Sequence, residues 1–285
     1  MIKKFKNSII TADKIIIGDN CIIGENVNIN CKGVFEIGEC SVIKDNCNIT
    51  CNNFISGKYL YMSDGVEIGR GGCNGPNSNV YIGSNVGIFE RTIINPSDEV
   101  YIGDNVGIGG EVMIWTHGAW LDVMQGFPAD FGPVKIGNNV WLPARSIVLP
   151  NVEIGGNTVI GIGSIINKNI PAGSLAAGSP CKVIKENYYP RKLNEEEKKK
   201  IVWDILEGWY KLHRIKSINA KAKYVDGNII LTQEDNQRRF KTIYDVNEKI
   251  MYGYENEVSE DLRDYLRRRG IKIYTGKPFK SISKK

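Results

Sequence analysis

Two six-residue stretches near the start of the chain, Ile17–Ile22 (IGDNCI) and Ile23–Asn28 (IGENVN), follow each other without a gap. Each begins with isoleucine and glycine, has asparagine at its fourth position and a small residue at its fifth. The same hexad returns along the first two thirds of the chain, at residues 37–42, 82–87, 102–107, 136–141 and 154–159. A fixed period of six, unlike the period of two in an ordinary half-buried strand, predicts a repeat architecture.

Each hexad predicts one short strand followed by one tight turn. Aliphatic residues at the first position stack upon one another in successive coils, and the small fifth residue fits the corner of a narrow prism. Glycine and asparagine suit the turns because they tolerate a positive φ. Three such sides close a coil, and neighbouring coils pair as parallel strands roughly 4.8 Å apart. The expected fold is therefore mainly β, a parallel β-helix over residues 1–189.

The late coils carry a more specific pattern, in Pro133–Pro150 (PVKIGNNVWLPARSIVLP) and Ala177–Lys185 (AGSPCKVIK). This pattern resembles the hexapeptide-repeat acyltransferases, and among them the maltose, galactoside and capsular-polysaccharide O-acetyltransferases. The resemblance implies a left-handed parallel β-helix, acetyl-CoA as the acyl donor, and a homotrimer whose sites lie between subunits. No metal is expected, because a zinc site of this fold needs about three histidine ligands and the chain has two histidines.

The longest break between good hexads, residues 117–133, opens with one of those histidines, His117. The family's catalytic histidine stands in a Thr-His context about 24 residues before a tryptophan; here Thr116 precedes His117, and Trp141 follows 24 residues later. The resemblance thus implies that His117 is the general base, since imidazole can take a proton from a sugar hydroxyl near neutral pH. Trp141 is expected to donate from its indole N–H or to stack on the acceptor, the alternative being a packed corner residue.

The resemblance also implies a donor groove. Its expected contacts are Ala144 and Ile162 at the pantetheine arm, Asn167 and Lys168 near the CoA phosphates, and Lys182 and Lys185 near the adenosine 3′-phosphate. For these lysines, a solvated basic face is the alternative interpretation.

The expected acceptor contacts combine aromatic and charged side chains. They are Glu90 and Arg91, one to two coils below His117, and Trp120, Asp122 and Phe127 in the long break. Aromatic faces stack on sugar rings while carboxylates hydrogen-bond to hydroxyl groups. The alternative is that these aromatic residues anchor the loop or bury a contact between subunits.

The hexads stop near Pro190, and residues 190–285 predict a small, basic α+β domain. This part holds 23 Lys and Arg against 15 Asp and Glu, a net of +8, whereas residues 1–189 hold 14 against 17, a net of −3. The pattern predicts a helix capped by Asn194, hairpins over 221–232 and 240–252, a helix over 259–269 and a strand over 271–274. The simplest interpretation of this basic surface is a solvated face. Binding of an anionic polysaccharide is the alternative, which is favoured over nucleic acid as a partner.

The expected function is acetyl-CoA-dependent O-acetylation of a sugar hydroxyl in a surface or capsular polysaccharide or its precursor. N-acylation of an amino sugar or a nucleotide-linked amino sugar, acetylation of a xenobiotic, and a non-enzymatic trimeric β-helix scaffold stay open as alternatives. Seven cysteines without a C-x-x-C pair predict free thiols in a cytoplasmic protein. No apolar run is long enough for a membrane span.

Overall fold

The computed structural model describes residues 2–5, 7–69, 71–73, 75–215, 219–235 and 238–282. Within them, the side chains of residues 2–5, 213–215 and 235 are not described. The chain forms two compact units, residues 1–191 and residues 192–285.

The first unit is a parallel β-solenoid with three faces, which the chain visits in the order 1, 2, 3 in each coil, as the hexad predicts. Face 1 contains β3 (Lys14–Ile17), β6 (Val34–Ile37), β9 (Asn53–Ser56), β12 (Asn79–Ile82), β15 (Val100–Ile102), β20 (Val134–Ile136) and β23 (Glu153–Ile154). Face 2 contains β4 (Ile22–Ile23), β7 (Val42–Ile43), β10 (Tyr61–Met62), β13 (Gly87–Ile88), β16 (Gly107–Ile108), β21 (Trp141–Leu142), β24 (Val159–Ile160), β26 (Leu175–Ala177) and the antiparallel β27 (Lys182–Lys185). Face 3 contains the antiparallel β1 (Ile2–Phe5) and then β2 (Ser8–Thr11), β5 (Asn28–Cys31), β8 (Asn48–Cys51), β11 (Glu67–Ile68), β14 (Ile93–Asn95), β17 (Met113–Trp115), β22 (Ile147–Val148) and β25 (Ile165–Ile166).

The hexad residues hold the coils together in the way their chemistry requires. The fourth-position asparagines adopt the left-handed conformation, as at Asn105 and Asn139, whose φ angles are 56° and 58°. Their amides also bond between coils, since Asn105 Nδ2 donates to Asn139 Oδ1 over 2.8 Å. The second-position glycines are required by close packing, because a Cβ at Gly103 would overlap Asn138 of the next coil. The inward aliphatic residues form one continuous core along the prism.

Two of the edges between faces matter for the site. Edge 2–3 lies between faces 2 and 3 and consists of the turns at residues 89–91, 109–111, 143–145 and 161–163. Edge 3–1 lies between faces 3 and 1 and includes Thr116, residues 149–151 and residues 167–169. Residues on the same edge can lie close together within a single copy of the chain, whereas residues on different edges cannot.

The second unit packs two helices against one side of a four-stranded antiparallel sheet. The helices are α1 (Glu195–Ile215) and α2 (Glu257–Arg267), and the strands in sheet order are β28 (Ala220–Val225), β29 (Asn228–Asp235), β30 (Arg238–Asp245) and β31 (Ile250–Gly253). Asn194 caps α1, with its Oδ1 accepting from the Glu197 N–H over 2.9 Å, as predicted. Both predicted hairpins are present.

The strand predicted over 271–274 is wrong. Ile273 is buried in the core of the second unit, but its carbonyl accepts from Arg263 Nη1 over 3.2 Å instead of joining a ladder. Arg263 is itself fully buried and also bonds the carbonyls of Lys277 and Pro278. A buried guanidinium needs several acceptors, and this segment supplies them.

Candidate active site

An excursion over residues 117–131 leaves the solenoid at edge 3–1. It is a short hairpin of two strands, β18 (His117–Ala119) and β19 (Ala129–Phe131), with a 3-10 turn at Val123–Gln125 between them. Its base is fixed by the buried Thr116, whose hydroxyl donates to the Asn95 carbonyl over 2.8 Å. The Gly132 N–H then donates to the Thr116 carbonyl over 3.0 Å, which closes the excursion. His117 therefore stands on a rigid support, at the point where the excursion begins.

The His117 imidazole lies between two aromatic rings. It stacks on Phe131, with ring centroids 5.8 Å apart and planes at 25°, and meets the edge of Trp115 at 6.1 Å. Its Nδ1 is buried and has no hydrogen-bond partner among the described residues. A buried polar nitrogen without a partner is costly, and such exceptions are frequent at functional sites. Among the described residues, two aromatic stacking contacts hold the ring.

The tip of the excursion projects away from the solenoid. Trp120 is 94% exposed and Phe127 is 43% exposed, and they are accompanied by exposed Leu121, Val123 and Met124. The Asp122 carboxylate caps the 3-10 turn by accepting from the Met124 N–H over 2.9 Å. Of the three predicted acceptor contacts here, Asp122 thus has a local structural bond, and the two aromatic residues are uncovered.

Trp141 lies on face 2, which is opposite the edge that carries His117. Its ring covers Gly107 of the coil below, because a Cβ at Gly107 would fall 2.6 Å from a ring carbon. The side chain is 43% exposed. A single copy therefore does not bring the two predicted catalytic residues together.

The predicted donor contacts are divided in the same way. Ala144 and Ile162 occupy successive turns of edge 2–3, linked by the Gly163 N–H donating to the Ala144 carbonyl over 3.1 Å. Asn167 and Lys168 are exposed on edge 3–1, two coils above His117. The coil between them contacts the excursion, because Asn151 Nδ2 donates to the Phe131 carbonyl over 3.1 Å.

Lys182 and Lys185 are exposed on β27, at the end of face 2. The Lys185 ammonium lies 4.3 Å from the centroid of the Tyr188 ring, a cation–π contact that fixes its direction. Lys182 pairs in register with Ala177, beside edge 2–3.

Glu90 and Arg91 also lie on edge 2–3, away from the His117 of the same copy. Arg91 Nη2 bonds Glu111 Oε1 over 2.6 Å, and Arg145 Nε bonds Glu111 Oε2 over 2.7 Å, which makes an ion ladder along this edge. Hydrogen bonds from Arg145 and then Arg91 lower the pKa of the Glu111 carboxyl. The Glu90 carboxylate lies against Gly110, where a Cβ would fall 2.9 Å from its Oε1.

The predicted site residues thus lie in separate places in one chain, with Trp141, Lys182 and Lys185 on face 2 and most of the others on two edges. His117, Asn167 and Lys168 share edge 3–1, whereas Ala144, Ile162, Glu90 and Arg91 share edge 2–3. The stacking of Phe131 on His117 and the ion pairs of Glu111 with Arg91 and Arg145 are not predicted by the motifs. Assigning successive hexads in turn to the three sides of a coil separates the residues of the two edges from the sequence alone.

In the part of the chain that the structure describes, no group of three or more His, Cys, Asp or Glu side chains is arranged to hold a metal ion. Neither of the helices in that part of the chain has the length and apolar character needed to cross a membrane.

This fold and its repeat define a hexapeptide-repeat β-solenoid. Residues 133–168 match the sequence model of the family described as bacterial transferase hexapeptide (six repeats). The chain is 54% identical over 54 residues to the galactoside O-acetyltransferase of Escherichia coli, which covers 19% of this chain and 27% of that protein. It is 43% identical over 112 residues to a protein of Saccharomyces cerevisiae named "Putative acetyltransferase YJL218W", covering 38% of this chain and 57% of that one.

A solved galactoside acetyltransferase in complex with coenzyme A is also similar. It is 32% identical, with 48% of this chain and 69% of that chain covered and a TM-score of 0.32. The resemblance to the hexapeptide-repeat transferases is confirmed by these matches. The chain spans less than two thirds of the length of both curated relatives.

Proposed function

We propose that this protein is an acetyl-CoA-dependent O-acetyltransferase that acts on a sugar hydroxyl of a surface or capsular polysaccharide or its precursor. The observation that carries the proposal is His117, held between Trp115 and Phe131 at the base of the excursion with a buried, unpartnered Nδ1. The acetyltransferase names of the curated relatives support the reaction class. The uncovered aromatic residues of the excursion suit the faces of sugar rings.

The chemistry is direct acyl transfer with His117 as the general base. As the imidazole takes the proton of the acceptor hydroxyl, that oxygen bonds to the carbonyl carbon of the acetyl group and the bond from carbon to sulfur breaks. The proton then passes from the imidazole to the departing thiolate, so that His117 returns to its starting state. Backbone N–H groups beside the reacting carbonyl would stabilise the negative charge that develops on its oxygen.

The proposed donor contacts lie on both edges, and this division leads us to propose a homotrimer. Lys168 of edge 3–1 and Lys182 beside edge 2–3 are exposed cations of the kind that phosphates need. Edge 3–1 of one copy would face edge 2–3 of the next, as in a closed ring of heterologous contacts. The same arrangement would cover the apolar tip of the excursion and give the His117 Nδ1 an acceptor from the neighbouring copy.

We also propose that the protein works in the cytoplasm. Its seven cysteines are all free, and six of them are buried. Free thiols in this number are typical of a reducing compartment.

A mass-spectrometric acceptor screen tests the proposed function directly. Free sugars, nucleotide sugars, amino sugars and acidic oligosaccharides are offered with acetyl-CoA, and the mass gain of each is recorded. O-acetylation of a sugar hydroxyl is the expected result, whereas a gain confined to amines would replace the proposal by N-acylation. If no acceptor gains mass and CoA does not raise the melting temperature, as a ligand of the native state must, the protein is a scaffold.

The role of Trp141 is testable through its neighbour Gly107. A Gly107→Ala substitution forces the indole to move, because the new Cβ would fall 2.6 Å from the ring. If the indole contacts a substrate, we expect about a tenfold loss of acetylation rate through misplacement, with the melting temperature little changed. Gly87→Ala, on the same face one coil below, is the matched control, since its Cβ would fall 3.3 Å from the Phe89 ring and leave Trp141 in place, and it is expected to retain most of the activity. Equal activity of the two variants would assign Trp141 a packing role.

A further inference from the structure

The sheet of the second unit has one covered side and one uncovered side. Its covered side carries Ile229, Leu231 and Tyr244, which are fully buried in the core formed with α1 and α2. Because side chains alternate along each strand, the residues between them point the other way. This second side is called the open face here, and its residues are Lys221, Lys223, Val225, Asn228, Ile230, Thr232, Glu234, Arg239, Lys241, Ile243, Asp245, Ile250 and Tyr252.

The register of the four strands places these residues in rows. One row runs across all four strands as Lys223, Ile230, Ile243 and Tyr252. The two isoleucines at its centre are half-buried and Tyr252 is 47% exposed, so the row has an apolar floor with an aromatic end. The floor lies on two central strands that have neighbours on both sides and therefore hold their side chains rigidly.

Three lysines lie along one side and at one end of this apolar floor. Lys221 and Lys241 both pair with Thr232, one from each side, so they stand roughly 10 Å apart across one strand. Lys223 follows Lys221 by two residues on the edge strand. All three side chains are exposed, and none forms an ion pair with a described residue. Unpaired cations beside an apolar strip leave their charge available to an anionic partner.

The acidic residues of the open face lie at its ends. Glu234 lies opposite Arg239 at one end. Asp245 lies at the other end, and its Oδ1 already accepts from the N–H groups of Asn247 and Glu248. The centre of the face is therefore cationic, within a unit (residues 192–285) whose 22 Lys and Arg against 15 Asp and Glu give a net charge of +7.

The balance of side chains favours a sugar polymer over a nucleic acid. Sheets that bind single-stranded nucleic acid use two or three aromatic side chains on which successive bases stack. The open face has one aromatic residue, Tyr252, and two aliphatic residues beside it. The apolar C–H faces of sugar rings pack against such a floor, and carboxylates carried by the sugars meet the flanking lysines.

We propose that the open face binds an acidic polysaccharide chain and so retains the polymer that the solenoid acetylates. That the bound polymer is also the acetylation substrate rests on the proposed function. That an acidic polymer binds rests on the residues of the open face alone. Lys221, Lys223 and Lys241 hold the carboxylates, and Ile230, Ile243 and Tyr252 contact the sugar rings. Repeated rounds of acetylation on one chain then need no complete release of the polymer.

The test measures binding of a fluorescein-labelled oligogalacturonate to the full chain by fluorescence anisotropy at low salt. The triple variant Lys221→Glu, Lys223→Glu and Lys241→Glu is expected to bind at least about tenfold more weakly, because three attractive charges become repulsive. The matched control, Lys200→Glu, Lys211→Glu and Lys280→Glu, has the same net charge and changes exposed lysines elsewhere in the same unit. It is expected to retain most of the affinity. Should the first triple variant not fold, the corresponding triple Gln variant replaces it.

Several outcomes would overturn the inference. They are equal loss in both triple variants, equal binding of neutral dextran, and tighter binding of a single-stranded oligothymidylate than of the uronate. Acetylation of small sugars is measured in parallel and depends on the solenoid. Uronate binding that fails while small sugars are acetylated contradicts only the inference, whereas specific binding without any acetylation contradicts only the proposed function.

Discussion

Replacement of His117 by alanine is expected to lower the acetylation rate by about 10²–10⁴-fold, the usual contribution of a positioned general base. The loss should be in kcat, because the imidazole acts on the proton that moves in the transition state. The melting temperature and the affinity for CoA are expected to change little, since Thr116 and Gly132 close the base of the excursion without help from the imidazole. Single-turnover acetylation with mass detection measures the effect.

The other histidine of the chain provides the control. His213 lies in α1 of the second unit, and His213→Ala is expected to retain the activity of the unaltered protein. Phe131→Leu is expected to give an intermediate acetylation rate, because it removes the ring on which the imidazole stacks but keeps the His117 base. An His117→Ala variant that retains more than about a tenth of the rate would show that another group takes the proton, or that base catalysis is not limiting.

Sequence alone predicts the solenoid because its cause is local and repeated. Each isoleucine at the first hexad position and each left-handed asparagine at the fourth imposes the same strand and turn, as at Ile102 and Asn105. Within the solenoid, the omissions arise where contacts cross coils of unequal length. The Glu111 ladder joins residues that are 20 and 34 positions apart, because the excursion lies between Glu111 and Arg145. No fixed spacing in the sequence signals such a contact.

The predicted site shows the same limit. The motif resemblance predicts that His117, Trp141 and Ile162 belong to one functional group. A motif does not show whether these three residues come from the same copy of the chain. In one chain they occupy edge 3–1, face 2 and edge 2–3. Asp122 was predicted from its chemistry as a sugar contact, but a carboxylate two residues before an N–H is also a local cap. The choice between such roles depends on backbone geometry, which a motif does not carry.

Mixing two inactive variants is expected to restore activity if the site lies between copies. His117→Ala alters edge 3–1, and Ile162→Glu introduces a charge on edge 2–3 at a side chain that is 73% exposed, so the fold should tolerate it. In trimers assembled from equal amounts of both variants, about a quarter of the contacts join an intact edge 3–1 to an intact edge 2–3. The acetylation rate should therefore return to about a quarter of that of the unaltered protein.

A second mixture isolates the geometry. Lys168 shares edge 3–1 with His117, so each edge 3–1 in a mixture of His117→Ala and Lys168→Glu carries one of the two defects. This mixture is expected to stay inactive however the copies assemble, although it shares the His117→Ala variant and the mixing conditions with the first. If neither mixture regains acetylation activity, the whole site lies within one copy of the chain. The division of the predicted site residues between two edges argues against that result. Restoration in both would mean that Lys168 acts from a different copy than His117, because only exchange between copies can restore a site that subunits share.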